Sequence, residues 1–391
     1  MKIIFKKEDL EKACNTVTSI ANQQSPLSII QCVLVESIDK DRIRFMASDL
    51  ESSVRYETSA VIEEEGRIAV NAQKLSQIAS KLVSGKDVIL NVKDGKVKIS
   101  SENADGEEIT FNIPSRDAAD FPDWPRINPV SIFEIKQQDL KETLEKVIIA
   151  IPAKDPRRFL LGAFFDIKDN ILNCVATDGK LLSYVRAPIT TSDETKNTAI
   201  LVPQKILTEV NKNIGLEGNV KITVAEKQIS FTLPNIVFVS NKINEDFPNY
   251  ENLIPKKFEL NVQIDKEKFL SAIDRAAIVS DESTNSICLK FDTNKLSVYV
   301  QQSNAGSENE KVPITYSNDP FGIIYNHKYL SEVLKAINNK EIVARFNGPI
   351  APTLLQGSGD DYYLFIVMPI KIAEEDVYAD DEEEDEEESK E

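Results

Sequence analysis

The chain has 391 residues, of which 41% are hydrophobic and 28% are charged, an ordinary balance for a globular protein. Its formal net charge is −18, and the segment 374–391, with thirteen carboxylates and one lysine, accounts for −12 of it. The rest of the chain is mildly acidic. This excludes a protein that coats nucleic acid over its whole surface, but it permits a local basic face.

Cysteine usage and the N-terminal residues indicate a cytoplasmic protein. Four cysteines lie in apolar stretches without the CxxC spacing of a zinc site, so we expect buried free thiols and no metal or other cofactor. Residues 1–6 lack the apolar core of a signal peptide, and no apolar run approaches 18 residues, so no membrane span is predicted. The cysteines are Cys14, Cys32, Cys174 and Cys288.

Similar elements recur three times along the chain. Alternating strands are predicted at residues 2–5, 131–135 and 258–264. An amphipathic helix follows each strand, with its first core residue at Leu10, Leu140 and Phe269 respectively. Two or more strands with turn signals come next. The pattern predicts a threefold repeat of complete domains, because units longer than a hundred residues exceed those of a solenoid.

A second helix in each repeat carries two lysines seven residues apart. Seven residues make nearly two helical turns, so both lysines lie on one face, beside an apolar stripe that packs on a core. A single pair would indicate only a solvated face. Three pairs in matching phase predict that a basic face recurs in every repeat. The pairs are Lys74 with Lys81, Lys205 with Lys212, and Lys328 with Lys335.

Hairpins and proline-containing segments close each repeat. The clearest hairpin joins residues 88–92 to 97–100 through Asp94-Gly95, a type I′ turn signal. Asp-Phe-Pro at residues 120–122 and again at 246–248 indicates the boundaries. The predicted fold is α+β, with two helices on an antiparallel sheet in each domain. The predicted domains are 1–128, 129–255 and 256–372, followed by a disordered acidic tail at 373–391.

Enzyme motifs are missing from the sequence. It has no GxxxxGK[ST] phosphate loop and no GxGxxG fingerprint. The single histidine, His327, is expected to begin a helix rather than serve a catalytic triad. A hydrolase using Asp178 near Lys180 is the remaining enzymatic alternative.

Five segments resemble the bacterial DNA polymerase III beta subunit, the sliding clamp, over residues 1–372. They are Asp-Pro-Arg-Arg-Phe-Leu-Leu-Gly at 155–162, Val-Ala-Thr-Asp-Gly at 175–179, the two Asp-Phe-Pro segments, and Val-Met-Pro-Ile-Lys-Ile at 367–372. The resemblance implies a non-catalytic processivity factor. Two three-domain protomers would close head to tail into a ring around duplex DNA, with helices lining the hole. Lysine suits sequence-independent contact with phosphates, because it is a flexible and hydrated point charge.

The resemblance also implies partners and site residues. The partners would be double-stranded DNA, the DNA polymerase III catalytic subunit, the clamp loader, and other polymerases and repair proteins. The residues expected to face DNA are Lys74, Lys81, Lys141, Lys146, Lys205, Lys212, Lys268, Arg275, Lys328 and Lys335. The expected peptide pocket comprises Arg157, Leu160, Thr177, Gly179, Leu182, Pro248, Leu253, Tyr329, Ile350, Ile366, Met368, Pro369 and Ile370. The expected dimer interface joins Phe111 and Ile113 to Ile278 and Val279 of the partner.

Two matters stay open at this point. The chain departs from the family pattern at residues 180–182 and at Asn252, which leaves the peptide preference undetermined, and at Gln24, where the family has an arginine facing the central hole. Apart from these open matters, Glu209 and Glu332 are expected to form ion pairs with lysines of their own helices. The alternative function is a non-enzymatic scaffold that binds proteins without enclosing DNA.

Overall fold

The structure is a computed structural model, and it describes residues 1–191, 197–303 and 306–370. The predicted disordered tail therefore lies outside the described residues. The chain divides into two compact units. The first unit contains Met1–Lys141 and Ile189–Asn244, and the second contains Glu142–Pro188 and the described residues from Glu245 onward.

Three successive runs of strands and helices match the predicted repeat. The first run is β1 (Lys2–Lys6), α1 (Lys7–Thr18), β2 (Cys32–Ser37), β3 (Arg42–Ser48), β4 (Ser52–Ser59), β5 (Val61–Glu64), β6 (Arg67–Asn71), α2 (Ala72–Lys81), β7 (Asp87–Lys93), β8 (Lys96–Glu102) and β9 (Glu108–Arg116). The second is β10 (Ser131–Lys136), α3 (Gln137–Ile148), β11 (Gly162–Lys168), β12 (Ile171–Thr177), β13 (Leu181–Pro188), β14 (Thr190–Thr191), β15 (Thr198–Pro203), α4 (Gln204–Asn213), β16 (Asn219–Val224), β17 (Gln228–Thr232) and β18 (Ile236–Asn241). The third is β19 (Leu260–Asp265), α5 (Lys266–Val279), β20 (Ser286–Asp292), β21 (Lys295–Ser303), β22 (Gly306–Pro313), β23 (Phe321–Asn326), α6 (His327–Ala336), β24 (Glu341–Phe346), β25 (Thr353–Gly357) and β26 (Tyr363–Val367).

The first unit contains one continuous antiparallel sheet. Its strand order is β14-β10-β16-β17-β18-β4-β3-β2-β6-β9-β8-β7-β1-β5. The pairing of β4 with β18, in which Ser52 lies opposite Ser240, joins strands of the first and second repeats. This shared pairing is why the compact unit extends past the boundary predicted at residue 128.

The second unit repeats this junction between the second and third repeats. Seven strands lie in the order β11-β12-β13-β26-β25-β24-β19, and β22-β21-β20-β23 form a separate sheet. At the junction β13 pairs antiparallel with β26, so that Leu182 lies opposite Ile366. Both junctions therefore join the third strand after one repeat's first helix to the last strand of the next repeat.

Two strands in the corresponding repeat positions, β9 and β22, have one side without a paired strand among the described residues along most of their length. From residues 108 to 114, β9 pairs with β8, whereas its pairing with β6 is confined to Ser115 and Arg116. From Glu308 to Pro313, β22 pairs with β21, and no other described strand lies beside it. Strand edges of this kind expose backbone donors and acceptors that can pair with another chain.

Local sequence signals account for the ends of several elements. Asp94 and Gly95 have φ values of 50° and 71°, which confirms the predicted type I′ hairpin turn. The side chains of Asn71 and Asn326 accept hydrogen bonds from the backbone N–H groups of Lys74 and Lys328 at 2.9 and 3.0 Å. These N-caps begin α2 and α6, so each lysine pair starts in the first turn of its helix.

The apolar residues that the helical periodicity predicts to face the core are buried. Leu10, Leu140 and Phe269 are at most 2% exposed. All four cysteines are free and buried, as expected, and burial raises the pKa of the Cys32 thiol. Among the described residues, no helix is long and apolar enough to cross a membrane.

Gly357 at the end of β25 provides a test of packing in the third domain. An added Cβ would come within 2.1 Å of Asn339 Oδ1 and 2.5 Å of Tyr363 Oη, two atoms that share a 3.0 Å hydrogen bond. We expect Gly357→Ala to lower the free energy of unfolding by about 1–3 kcal/mol, measured by denaturant titration. The control is Gly215→Ala, whose new carbon would approach no atom closer than 3.3 Å. Equal stability of the two variants would contradict this packing.

Candidate binding sites

The first lysine pair is exposed and has no counter-ion within the described part of the chain. Lys74 and Lys81 both project from α2 into solvent, and neither makes an ion pair with any described residue. The opposite face of the helix buries Leu75 and Ala79. Both positive charges are therefore available to a polyanion.

The second pair is neutralised locally. Lys205 Nζ lies 2.5 Å from Asp49 Oδ2, a carboxylate at the turn between β3 and β4. Lys212 Nζ lies 2.8 Å from Glu209 Oε1, which confirms the expected pairing within the helix. Both lysines remain exposed, but a phosphate would have to compete with the carboxylates.

In the third pair, one lysine has a carboxylate partner and the other has none among the described residues. Lys328 is exposed and has no ion-pair partner among the described residues. Lys335 Nζ lies 3.8 Å from Asp274 Oδ1 of α5. The structure thus gives Lys335 a carboxylate partner on a neighbouring helix, where the sequence predicted Glu332.

The first helix of each repeat contributes less than predicted. Lys268 is exposed and Lys141 is half-buried. Arg275 makes two hydrogen bonds of 2.6 Å to the Glu310 carboxylate of β22. Lys268 and Arg275 line a groove of about 340 Å³ between α5 and β22.

The prediction that Lys146 faces DNA is wrong. Lys146 is only 5% exposed, and its ammonium group lies 5.0 Å from the centre of the Tyr363 ring. Burial lowers the pKa of Lys146. A cation held over an aromatic face in the protein interior stabilises packing and is not available to a duplex.

A short hairpin loop at residues 177–181 organises one side of the expected pocket. Asp178 Oδ1 accepts the backbone N–H groups of Lys180 and Leu181 at 2.7 Å each, and Oδ2 accepts the Tyr329 hydroxyl at 2.6 Å. The Thr177 hydroxyl donates to the Leu181 carbonyl at 2.7 Å. Burial, followed by the bond to Asp178, raises the pKa of Tyr329.

Arg157 lies against the same loop. Its guanidinium donates to both oxygens of Asp155 at 2.9 and 3.0 Å, and to the carbonyl of Asp178 at 3.3 Å. The Arg157 nitrogens lie 3.7 Å from the position of a Cβ on Gly179, whose φ of +93° favours glycine. The structure therefore brings Arg157, Thr177, Gly179 and Tyr329 together, as the resemblance implies.

An apolar cluster lies beneath this loop. Leu182 and Ile366 face each other across β13 and β26, and they are 5% and 4% exposed. They pack with Val175, Tyr250 and Leu354. Sequence reasoning missed these last three: Val175 begins the recognised segment 175–179 but was not assigned to the pocket, and Tyr250 and Leu354 come from segments far from it in the chain.

The other expected pocket residues differ in exposure. Leu160 and Pro369 are buried, and Met368 and Ile370 are half-buried. Beyond the end of β26, the Met368 N–H donates to the Lys180 carbonyl and the Ile370 N–H donates to the Ile324 carbonyl, each at 2.8 Å. Three residues stand outside the buried cluster as exposed apolar side chains: Pro248, Leu253 and Ile350.

The segment that follows the second Asp-Phe-Pro is fixed by aromatic contacts. Phe247 stacks on Phe164 with ring centres 5.0 Å apart and planes 5° apart. The Tyr250 hydroxyl donates to the buried Asp166 carboxylate at 3.0 Å, and burial followed by Asp166 raises the pKa of Tyr250. These contacts place the neighbouring Pro248 at the surface beside the apolar cluster.

The equivalent position in the first unit has a different chemistry. Ser53 of β4 occupies the place of Leu182, and Val239 of β18 the place of Ile366. The Ser53 hydroxyl donates to Ser48 Oγ at 2.9 Å. A hydrogen-bonded serine at this place puts a polar group where the second junction has leucine, although Leu34, Ala118 and Phe121 still form an apolar cluster in the first unit.

The residues expected at the dimer interface lie beside the two open strand edges. Phe111 and Ile113 are half-buried on β9, and Ile278 at the end of α5 is 78% exposed. Val279 Cγ1 lies 3.7 Å from the position of a Cβ on Gly306 of β22. An exposed isoleucine beside an open strand edge is a feature of surfaces that become buried on association.

The groups named for an enzyme have structural contacts. His327 begins α6, as predicted, and burial lowers the pKa of its imidazole. Asp178 uses both carboxylate oxygens to hold its loop and Tyr329. Among the described residues, no group of three or more His, Cys, Asp or Glu is arranged to hold a metal ion.

Comparison with known proteins decides the family. Models of the DNA polymerase III beta subunit match the chain as an N-terminal domain over residues 1–125, a central domain over 134–249 and a C-terminal domain over 251–371. The chain belongs to the DNA polymerase III beta subunit family. It is 27% identical over 379 residues to the beta sliding clamp of Caulobacter vibrioides, and 25% identical over 378 residues to that of Synechococcus elongatus. Each alignment covers 95% of this chain and 100% of the relative.

Solved beta subunits have the same fold. A sliding clamp from Bartonella birtlesii bound to griselimycin is 25% identical, with a TM-score of 0.87 over 95% of this chain and 100% of that one. A beta sliding clamp from Caulobacter crescentus is 27% identical, with a TM-score of 0.85 and the same coverage. The three-domain α+β architecture predicted from the sequence is confirmed.

Proposed function

We propose that this beta subunit is a sliding clamp that encircles duplex DNA as a head-to-tail dimer and tethers the replicative polymerase. The observation that carries the proposal is the match of three domains, in order, to the beta subunit family over residues 1–125, 134–249 and 251–371. The beta subunit is a processivity subunit and has no catalytic activity of its own. We place the domain boundaries near residues 128 and 255, with the third domain ending at 372.

The strand pairing supports head-to-tail closure. Within the chain, β4 pairs with β18 and β13 pairs with β26. In the third repeat, β22 occupies the position of β4 and β13. In the first repeat, β9 occupies the position of β18 and β26. Each of these two strands has one side without a paired strand among the described residues along most of its length. A second copy can supply the missing partner at each end, so two copies would satisfy both edges in a closed, heterologous arrangement. In this arrangement Phe111 and Ile113 would pack against the partner's Ile278 and Val279.

The exposed lysines support non-specific contact with DNA. A flexible ammonium group attracts phosphates without fixing the register of a base sequence. Five predicted residues have no ion-pair partner among the described residues: Lys74, Lys81, Lys141, Lys268 and Lys328. The mixture of free and neutralised lysines suits a protein that slides, because topology rather than affinity retains it.

We propose the pocket in the second unit as the docking site for short peptides of partner proteins. The Asp178 loop gives it a polar side, and the apolar cluster gives it a floor. The partners would include the DNA polymerase III catalytic subunit, the clamp loader, and other polymerases and repair proteins. Since these act on chromosomal DNA, the protein would work in the cytoplasm.

Retention on DNA separates this function from a scaffold that does not enclose DNA. After loading by the clamp loader, the protein should stay on closed circular DNA through a high-salt wash. Linearising the same molecules should release it, because a ring can slide off an end. Equal retention on circular and linear DNA would favour direct binding, and no retention on either would favour the scaffold.

Truncating the chain tests whether residues 368–370 form part of the pocket. A chain that stops after Val367 loses Met368, the buried Pro369 and Ile370, together with their backbone hydrogen bonds. We expect a fluorescent peptide from the polymerase catalytic subunit to bind it at least tenfold more weakly, about 1.4 kcal/mol. The control, which stops after Ile372, should retain full affinity. Equal affinity for the two chains would remove residues 368–370 from the site.

A further inference from the structure

One phenylalanine recurs at the same place in the last strand of every repeat. In each repeat, cross-strand pairing can be followed from the residue four positions before the first helix, through two strands, to this phenylalanine. It is Phe111 of β9, Phe238 of β18 and Phe365 of β26. The starting residues are Ile3, Phe133 and Val262. The three phenylalanines are therefore equivalent.

The two junctions within the chain hold this phenylalanine in the same register. Phe238 lies opposite Val54 of β4, and Phe365 lies opposite Ser183 of β13. Pairing followed from two residues before the second helix leads to Val54 in the first repeat and to Glu308 of β22 in the third. A second copy that continues this register would bring its Glu308 opposite the phenylalanine of β9.

Both internal junctions extend three residues beyond this pair. In the first, the Glu57 N–H donates to the Asn235 carbonyl at 2.9 Å. In the second, the Arg186 N–H donates to the Tyr362 carbonyl at 2.7 Å. Each donor stands three residues after the partner of the phenylalanine, and each acceptor stands three residues before the phenylalanine. We expect a junction between copies to reach the same position.

The two residues at this position on the open strand edges are oppositely charged. They are Glu108 of β9 and Lys311 of β22, and both are exposed. Lys311 has no ion-pair partner among the described residues. Lys98 Nζ lies 3.0 Å from Glu108 Oε1, and this hydrogen bond, followed by that of Thr110, lowers the pKa of Glu108. The carboxylate is therefore ionised at neutral pH and available to a second cation.

This charge complementarity occurs in one register only. The other two pairs on the outward face of the strands would be uncharged. They are Thr110 with Asn309 and Asn112 with Ser307. A shift of two residues keeps every side chain on its own face, but it would place Glu108 opposite Asn309 or Pro313 instead of Lys311.

The inward face of the strands agrees with this register. It places Ile113 opposite the partner's Gly306. Val279 Cγ1 lies 3.7 Å from the position of a Cβ on Gly306 within the same chain. The strand register therefore brings Ile113 towards Val279, which is the contact that the family resemblance implies on separate grounds.

We propose that Glu108 and the partner's Lys311 form an ion pair at each junction between copies and fix the register in which the ring closes. The inference rests on the proposed head-to-tail dimer and names residues that select its pairing. Opposite charges directly across an antiparallel strand pair stabilise it, and like charges destabilise it. A ring of two chains contains two such pairs, so each substitution acts twice.

Two charge reversals, Lys311→Glu and Glu108→Lys, test the pair. Each places like charges at both junctions, so sedimentation of the full chain at 50 mM NaCl should give a dimer dissociation constant about tenfold or more above that of the wild type. An equimolar mixture of the two variants should recover to within about threefold, because a ring with one chain of each kind has opposite charges at both junctions. At 500 mM NaCl these differences should shrink.

Two further variants separate charge pairing from damage to the fold. Lys340→Glu reverses another exposed lysine of the third domain, in the loop between α6 and β24, and should dimerise like the wild type. The neutral variant Lys311→Gln should weaken the dimer less than Lys311→Glu does, because it removes attraction without adding repulsion. Circular dichroism should give the same unfolding midpoint for all variants, since the substituted side chains are exposed.

The outcomes distinguish the ion pair from the dimer on which it rests. If both reversals dimerise as tightly as the wild type, the pair is refuted, while loss of the dimer in Ile278→Asp would still support the ring. If each reversal weakens the dimer and the mixture does not recover, the two charges do not face each other and the register is wrong. A wild-type chain that is monomeric at low micromolar concentration would refute the dimer and the pair together.

Discussion

Ile278→Asp is expected to convert the dimer into a folded monomer that is not retained on circular DNA. The side chain is 78% exposed in the single chain, so the substitution leaves the core of the third domain intact. In the dimer it would place a carboxylate against Phe111 and Ile113 of the partner. Burying an apolar side chain of this size contributes about 1.5–3 kcal/mol, and an unpaired buried charge reverses that gain. The change occurs at both interfaces of a head-to-tail dimer.

Light scattering coupled to size exclusion should give a mass near 43.8 kDa for this variant and about twice that for the wild type. Ile350→Asp is a matched control, because Ile350 is also an exposed isoleucine and is not among the residues expected at the dimer interface. It should stay dimeric and remain on circular DNA. If Ile278→Asp is still a dimer at low micromolar concentration, the interface is elsewhere.

The second large effect concerns Lys74 and Lys81, which have no counter-ion among the residues that the structure describes. Replacing Lys74 and Lys81 by alanine removes four positive charges from a dimer. The slope of log K against log salt should become shallower by up to ~3.6, since each phosphate contact contributes ~0.9. Binding to linear duplexes of different sequence should weaken equally, because phosphate contacts carry no sequence information. Thermal unfolding should change little, as is usual for surface substitutions.

Replacing Lys205 and Lys212 by alanine is the matched comparison. It removes the same number of charges, but it leaves Asp49 and Glu209 without their partners. If the carboxylates already neutralise these lysines, the slope changes less than in the Lys74 and Lys81 variant. An identical change in both variants would mean that the ion pairs open when DNA binds. An unchanged slope in both would place DNA away from these helices.

The fold was predictable from the sequence where its signals are local. The heptad spacing of lysines, the Asp94-Gly95 turn and the apolar phase of Leu10, Leu140 and Phe269 each depend on residues close together in the chain. Lys146 could not be placed in this way. Its helical phase puts it on a plausible surface, but Tyr363, more than two hundred residues later, covers it.

The candidate site shows the same division. Arg157, Thr177 and Gly179 lie within recognisable segments, and the structure brings them to one loop. Partners far apart in the chain were not predictable: Asp178 holds Tyr329 across 151 residues, and Lys205 of α4 meets Asp49 across 156. Leu354 joins the apolar floor only through strand register. Such pairs depend on which strands become neighbours, which a single sequence does not specify.

The serine at position 53 bears on how many partners one assembly would carry. Because Ser53 places a hydroxyl where Leu182 gives the second unit an apolar side chain, we expect one docking seat in each chain, although its repeat creates two similar strand junctions. The proposed ring of two chains would therefore have two identical seats. A replicative polymerase on one of them would leave the other vacant, so that a second protein would be able to wait on the same ring and take over the DNA end without the ring being reloaded.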